Sequence, residues 1–123
     1  MITCVIAQPI HPVGAQLLRA SGINVVQSAG TGLDALKHEI ADADAVIVRD
    51  HFPASLIDAA PKLCVIANHG TGTDKIDVAH ASTLGIPVVF TPTANVRAVG
   101  EHALTLMLAT AYQLALGDAT TPR

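Results

Sequence analysis

Residues 63–77 read Leu63-Cys64-Val65-Ile66-Ala67-Asn68-His69-Gly70-Thr71-Gly72-Thr73-Asp74-Lys75-Ile76-Asp77. The opening run, Leu63–Ala67, is apolar with no polar residue alternating inside it. A two-glycine loop follows, then a helical pattern from Asp77 to Leu84 that stops at Gly85. A strand without polar alternation is buried on both faces, as in a parallel sheet with helices above and below. The same unit recurs on both sides. Upstream come a strand at Ile2–Ala7, a helix at Pro12–Ala20 stopping at Gly22, and a strand at Ile23–Gln27. A helix at Leu33–Ile40, a strand at Ala45–Arg49 and a helix at Ala54–Ala60, stopped by Pro61, lead back to the quoted stretch. Downstream come a strand at Ile86–Phe90 and a long helix from Asn95 to about Leu116, with Gly117 as its stop. Five strands separated by helices make a doubly wound α/β layer with a parallel sheet and right-handed crossovers.

The chain has 123 residues, half of them hydrophobic and 14% charged, with a formal net charge of -3. It can bury a core, which excludes intrinsic disorder. No strong positive field exists to hold nucleic acid or an anionic membrane, and Phe52, Phe90 and Tyr112 are too few to stack bases. Met1–Ile10 has no positive leader, and the longest uncharged run, Ala103–Gly117, is shorter than the roughly 20 residues that span a bilayer. Cys4 and Cys64 sit inside apolar strand runs and are expected as buried small hydrophobes in a reducing, cytoplasmic setting.

Ligands of such sheets sit beyond the carboxyl ends of the strands. Three loops there could carry chemistry. Gly30-Thr31-Gly32-Leu33-Asp34-Ala35 matches the G-x-G-x-x-G/A pattern, with Asp50 ending the next strand. It lies after the second strand rather than the first, and its helix has only two turns, so a plain turn is the expected reading. His69-Gly70-Thr71-Gly72-Thr73-Asp74 could present successive N–H groups as an anion nest, for which a carboxylate is a suitable guest. Asp74 and Asp77 are expected to cap the following helix. Arg49 could fork onto a carboxylate or phosphate, or pair with Asp50 on the surface.

The six histidines and two cysteines have no metal-ligand spacing, so no metal site is expected. No G-x-S-x-G elbow is present. Gln8-Pro9 after the first strand and Thr91-Pro92 after the fifth fit neither a phospho-receiver nor a flavodoxin phosphate loop.

Taken in order, these blocks resemble the NAD-dependent D-2-hydroxyacid dehydrogenases. The resemblance rests on Ala60-Pro61-Lys62-Leu63, Val65-Ile66-Ala67, Gly70-x-Gly72-x-Asp74-x-Ile76-Asp77, Gly85-Ile86-Pro87-Val88 and Thr91-Pro92. It continues through Ala94-Asn95, Glu101-His102 and Leu104-x-Leu106-Met107-Leu108, while Val48-Arg49 is similar to the phosphoglycerate-dehydrogenase branch. The resemblance implies a flavodoxin-like substrate-binding domain at 1–94, a connecting helix at 95–117 that would lead into a separate NAD-binding domain, and a tail at 118–123. It further implies that Gly70, Thr71 and Gly72 bind the carboxylate of a small 2-hydroxy or 2-keto acid. Thr71 would lie near the nicotinamide, Arg49 at the far end of the substrate and Asn95 at the interdomain crossing.

By the same resemblance, the NAD fingerprint and the catalytic Arg, acid and His lie beyond Arg123. No catalytic residue is then expected in this chain, and it should be inactive alone. A non-catalytic carboxylate-binding or interaction module is the alternative. Asp50 stands where the phosphoglycerate branch usually carries a small residue. A fixed negative charge about 4 Å from an anion is unfavourable by roughly 1 to 4 kcal/mol, which argues against a phosphorylated substrate. Asn68 and Gly100 replace a frequent basic residue and a frequent alanine. Residues 99–116 are apolar on every side of the helix with Glu101 as the only acid, so self-association to a dimer through this helix is expected.

Overall fold

The computed structural model describes residues 1–29 and 32–120. The chain divides into two compact units, Met1–Thr91 and Pro92–Arg123. The first contains β1 (Thr3–Ile6), α1 (Pro12–Ala20), β2 (Asn24–Gln27), α2 (Leu33–Ile40), β3 (Ala45–Val48), α3 (Ala54–Ile57), β4 (Val65–Asn68), α4 (Val78–Thr83) and β5 (Val88–Val89). All strands are parallel, in the order β2-β1-β3-β4-β5. This is the flavodoxin-like order, whose switch point lies between β1 and β3. Right-handed crossovers put α1 on one face and α2, α3 and α4 on the other.

The core lies under α2–α4. Val46, Val48, Ile66, Ile40, Leu56 and Phe52 are all completely buried there. The α1 face is thinner: no α1 residue is buried, and Val13 and Leu17 are exposed. β3 accordingly alternates, with Val46 and Val48 buried and Ala45 and Ile47 only half-buried.

Local chemistry fixes the boundaries. α1 and α4 both end in a left-handed glycine, Gly22 at φ 79° and Gly85 at φ 72°. At each end the glycine N–H and the next N–H fold back onto helix carbonyls: Gly22 to Arg19, Ile23 to Leu18, Gly85 to Ser82 and Ile86 to Ala81. Asp77 caps α4, its carboxylate accepting from His80 N–H at 3.0 Å. β5 is shorter than its apolar run, since Pro87 has no N–H to give the ladder and only its carbonyl takes part, accepting from Ile66. α3 is shorter than expected as well. After Ile57 the chain tightens into i→i+3 bonds from Ala59 and Ala60, because the residue before Pro61 is pushed away from the helical region.

Two expectations are corrected. Cys4 is buried, but Cys64 is exposed. It precedes β4 and is left uncovered between the buried Leu63 and Ile66. In the second unit the long helix begins at Val96 as read, but does not run unbroken to Gly117. α5 (Val96–Ala111) ends where Gln113 turns left-handed at φ 50°, and α6 (Leu114–Thr120) resumes with Gly117 inside it. No glycine signals this break, so the apolar pattern reads straight through it. Among the described residues no helix is long and apolar enough to cross a membrane.

Candidate functional site

The carboxyl ends of β1, β3 and β4 come together around Arg49. Its backbone N–H donates to Gln8 Oε1 at 2.7 Å, across the switch point, and its guanidinium Nη1 donates to Pro9 O at 3.1 Å. The loop after β1 thus braces the cation while leaving most of its fork of donors unused. Arg49 is not paired with Asp50. That carboxylate instead meets Lys75 Nζ at 3.1 Å.

Phe52 ties the β3 loop to the β4 loop. It forms a parallel bridge with Ile76, donating to Lys75 O at 2.8 Å and accepting from Asp77 N–H at 3.2 Å. Both Phe52 and Ile76 are buried, so the two loops share one anchor in the core.

The Gly70–Gly72 loop is held by its carbonyls. Gly70 O accepts from both the N–H and the Oγ1 of Thr91, each at 3.0 Å. Gly72 O accepts from the Asn68 side-chain amide. Among the described residues, no group accepts from the N–H of Gly70, Thr71 or Gly72. The second glycine makes room for a neighbouring carboxylate: a Cβ on Gly72 would stand 2.7 Å from Asp74 Oδ1, and Asp74 would have to turn away. Asp74 therefore lies against the loop and does not cap α4.

A crevice of about 180 Å³ opens here, lined by Arg49, Asn68, the 69–72 loop, Asp74 and Lys75. A larger one, about 570 Å³, lies across the β3 loop against Gln8, Ser28, Leu33, Asp50 and His51. The smaller crevice is the better anion site. Each presents a carboxylate, Asp74 in the smaller and Asp50 in the larger, but only the smaller joins cations, Arg49 and Lys75, to three N–H groups that have no partner among the described residues. Lys75 donates to that carboxylate and holds it below the usual acid range, helped by the backbone N–H of His51 and by the Lys75 charge.

Of the residues singled out from sequence, Arg49, Gly70, Thr71 and Gly72 are brought to one crevice. Asn95 stands at the N-cap of α5 without a side-chain capping bond. Gly30 and Thr31 lie outside the described residues. The remainder of that motif gives Gly32 in an extended conformation before α2, with no side-chain cap. Gln8, Asn68, Lys75 and Thr91 escaped the sequence reading as site residues. Gln8 and Thr91 stand in strand-end loops where ligands are expected, but their pairings, like that of Lys75, come from distant parts of the chain, while Asn68 bonds locally to Gly72. No three of the described His, Cys, Asp and Glu residues gather as a metal cluster.

Comparison with known proteins places the chain in a family. The family described as D-isomer specific 2-hydroxyacid dehydrogenase, catalytic domain, matches residues 4–121. A D-3-phosphoglycerate dehydrogenase of Mycobacterium bovis is 40% identical over 93 residues, covering 74% of this chain and 18% of the relative. That of Archaeoglobus fulgidus is 34% identical over 115 residues, covering 92% and 22%. The crystal structure of an NAD+-bound 3-phosphoglycerate dehydrogenase from Entamoeba histolytica superposes with a TM-score of 0.77 at 28% identity, covering 88% of this chain and 38% of that one. The chain belongs to the D-isomer specific 2-hydroxyacid dehydrogenase family. It spans well under half the length of these relatives.

Proposed function

We propose that this chain is the substrate-binding lobe of an NAD-dependent D-2-hydroxyacid dehydrogenase, and that its Gly70–Gly72 loop receives the carboxylate of a small 2-hydroxy or 2-keto acid. The observation that carries this reading is that the N–H groups of Gly70, Thr71 and Gly72 have no acceptor among the described residues, and that these residues line one crevice with Arg49, whose guanidinium is braced by Pro9. A carboxylate satisfies such donors without needing a lysine, and Arg49 meets the other end of a short substrate. Thr71, exposed at the tip of the loop, is the residue of this set that reaches toward the cofactor, and Asn95 begins the crossing to a second domain.

NAD, when bound to a complete enzyme, supplies the hydride acceptor or donor. The described residues here do not fit a dinucleotide cradle by themselves. The loop after β1 is Gln8-Pro9-Ile10-His11, with no glycine to let a pyrophosphate approach. On this reading the proton-handling groups belong to another domain, and the 123-residue chain alone turns over no hydroxyacid.

The test is a titration of the ¹⁵N-labelled chain with glyoxylate or hydroxypyruvate. Amide shifts centred on Gly70–Gly72 are expected at millimolar ligand, with no NADH oxidation. Unmoved amides would leave a structural module without a carboxylate site, and turnover by the pure chain would overturn the assignment of the chemistry elsewhere.

A second copy of the chain is the proposed partner of residues 99–116. Leu104, Leu106, Met107, Leu108, Leu114 and Leu116 distribute apolar surface around the helical stretch, and each Leu left in water forgoes about 1.5–3 kcal/mol. Light scattering at micromolar concentration is expected to give a dimer; a strict monomer sinks this part.

A further inference from the structure

The ridge between the two crevices carries an ion pair whose position gives it a second consequence. Lys75 lines the smaller crevice together with Arg49, while its partner Asp50 lines the larger one. The ammonium and carboxylate meet at 3.1 Å over the Phe52–Lys75 backbone bond, which fixes the spacing of the two loops. Asp74 adds a second carboxylate, seated against Gly72. The smaller crevice is thus lined by two cations, Arg49 and Lys75, and one carboxylate, Asp74, while Asp50 reaches Lys75 from the neighbouring crevice.

We propose that Asp50, by pairing with Lys75, restricts the Gly70–Gly72 site to substrates with a single anionic group, so that Asp50 and Lys75 determine specificity by charge. The inference rests on the carboxylate site proposed above. With Lys75 engaged, the attraction left among the described residues is the three N–H groups and the unused fork of Arg49, set against the Asp74 carboxylate, enough for one carboxylate. A second carboxylate or a phosphate on the substrate would find its nearest cation already paired and a negative Asp50 behind it. Removing the Asp50 charge releases the ammonium, which can swing on its four-carbon stem to meet a second anionic group. Both side chains are more than half exposed, so the effect is a few-fold and falls with salt.

The experiment compares glyoxylate, a monoanion, with 2-oxoglutarate, a dianion, by the amide shifts of Gly70 and Gly72. In Asp50→Asn at low ionic strength, the affinity ratio of 2-oxoglutarate to glyoxylate is expected to rise roughly 2- to 5-fold. The rise is expected to vanish in Asp50→Asn/Lys75→Met and to shrink in ~0.5 M salt. Lys75→Met alone, which leaves Asp50 unpaired, should lower that ratio below the wild-type value. An unchanged ratio in Asp50→Asn, or a gain that survives loss of Lys75, overturns the proposal while leaving the carboxylate site standing. If neither acid moves the two amides in the wild-type chain, the site itself fails and the selector falls with it.

Discussion

Phe52 and Lys75 are joined by a 2.8 Å backbone hydrogen bond that makes the loops after β3 and β4 a single wall. Arg49 lies three residues before this bond, and the Gly70–Gly72 loop three to five residues before its other end. The fully buried ring of Phe52 anchors that wall in the core, so it bears on the spacing between the cation and the loop N–H groups.

Truncating that ring separates anchoring from chemistry. Phe52→Ala is expected to destabilise the first unit by about 3–5 kcal/mol, the usual effect of emptying a buried aromatic site, and Phe52→Leu by less. Urea unfolding measures both. In Phe52→Leu, carboxylate binding should weaken although no polar contact has been removed. Wild-type affinity in a clearly destabilised Phe52→Leu would mean that the bridge does not set the loop spacing.

Asn68 makes the next case. Its side-chain amide donates to Gly72 O, closing the loop on itself. Asn68→Ala removes one exposed hydrogen bond, a loss of about 0.5–1.5 kcal/mol, and frees the loop to sample other conformers. Faster amide exchange at Thr71–Thr73 and several-fold weaker glyoxylate binding are expected. Asn68→Asp should be worse, since it sets two acceptors face to face and brings a negative charge to an anion site. Equal binding by all three chains would remove Asn68 from the site.

These two residues mark how far the sequence could be read. Period and punctuation placed all five strands, and the glycines at 22 and 85 stopped their helices where the left-handed turns now stand. Gly70, Gly72 and Arg49 were legible because strand-end loops are where such sheets bind ligands. The partners were not, because Gln8 reaches Arg49 across 41 residues of chain and Lys75 reaches Asp50 across 25. Side-chain choice at a loop position carries no record of which distant loop it faces. That is why Asp50 read as Arg49's surface partner or as a bare repulsive charge, while the folded chain gives it to Lys75. The helix break at Gln113 was hidden for a different reason: nothing in Tyr112-Gln113 is a helix breaker, and the apolar period continues past it.

The two free thiols should separate cleanly by reactivity. Cys64 is exposed, with its Sγ 3.3 Å from Lys62 O, while Cys4 is buried in β1 and burial pushes its thiol pKa up. Only the thiolate attacks a disulfide reagent, and only if the reagent can reach it. One equivalent is expected to react promptly with an aromatic disulfide in native buffer, and the second only after denaturant is added. Cys64→Ser should abolish the prompt phase and Cys4→Ala the slow one. Simultaneous reaction of both would place β1 at an opening edge rather than in the sheet interior.

The pH dependence of stability follows from the exposed ion pairs. The Lys62 ammonium, 2.6 Å from Asp42, lowers that carboxyl pKa by hydrogen bond and then by charge, and Asp50 is lowered by Lys75 in the same way, with the His51 N–H assisting. A carboxyl depressed in the folded state binds its proton more weakly there than in the unfolded chain. Its stabilisation is thus complete above the ordinary carboxylate range and is lost as pH falls through the depressed folded values. Lys62 has the opposite sign: Asp42 raises its pKa, so its contribution is complete below the ordinary lysine value and is lost as pH rises through the folded one. Cys4, raised by burial, adds to the same alkaline loss. Urea midpoints against pH should therefore form a plateau with losses at both ends. Asp42→Asn should flatten part of the acid limb and reduce the Lys62 share of the alkaline one to what the Asp44 charge sustains, leaving the share of Cys4. Because these pairs are exposed, ~1 M salt should flatten the ion-pair share of both limbs. An acid limb identical in Asp42→Asn and wild type would mean that the pair makes no contribution in solution.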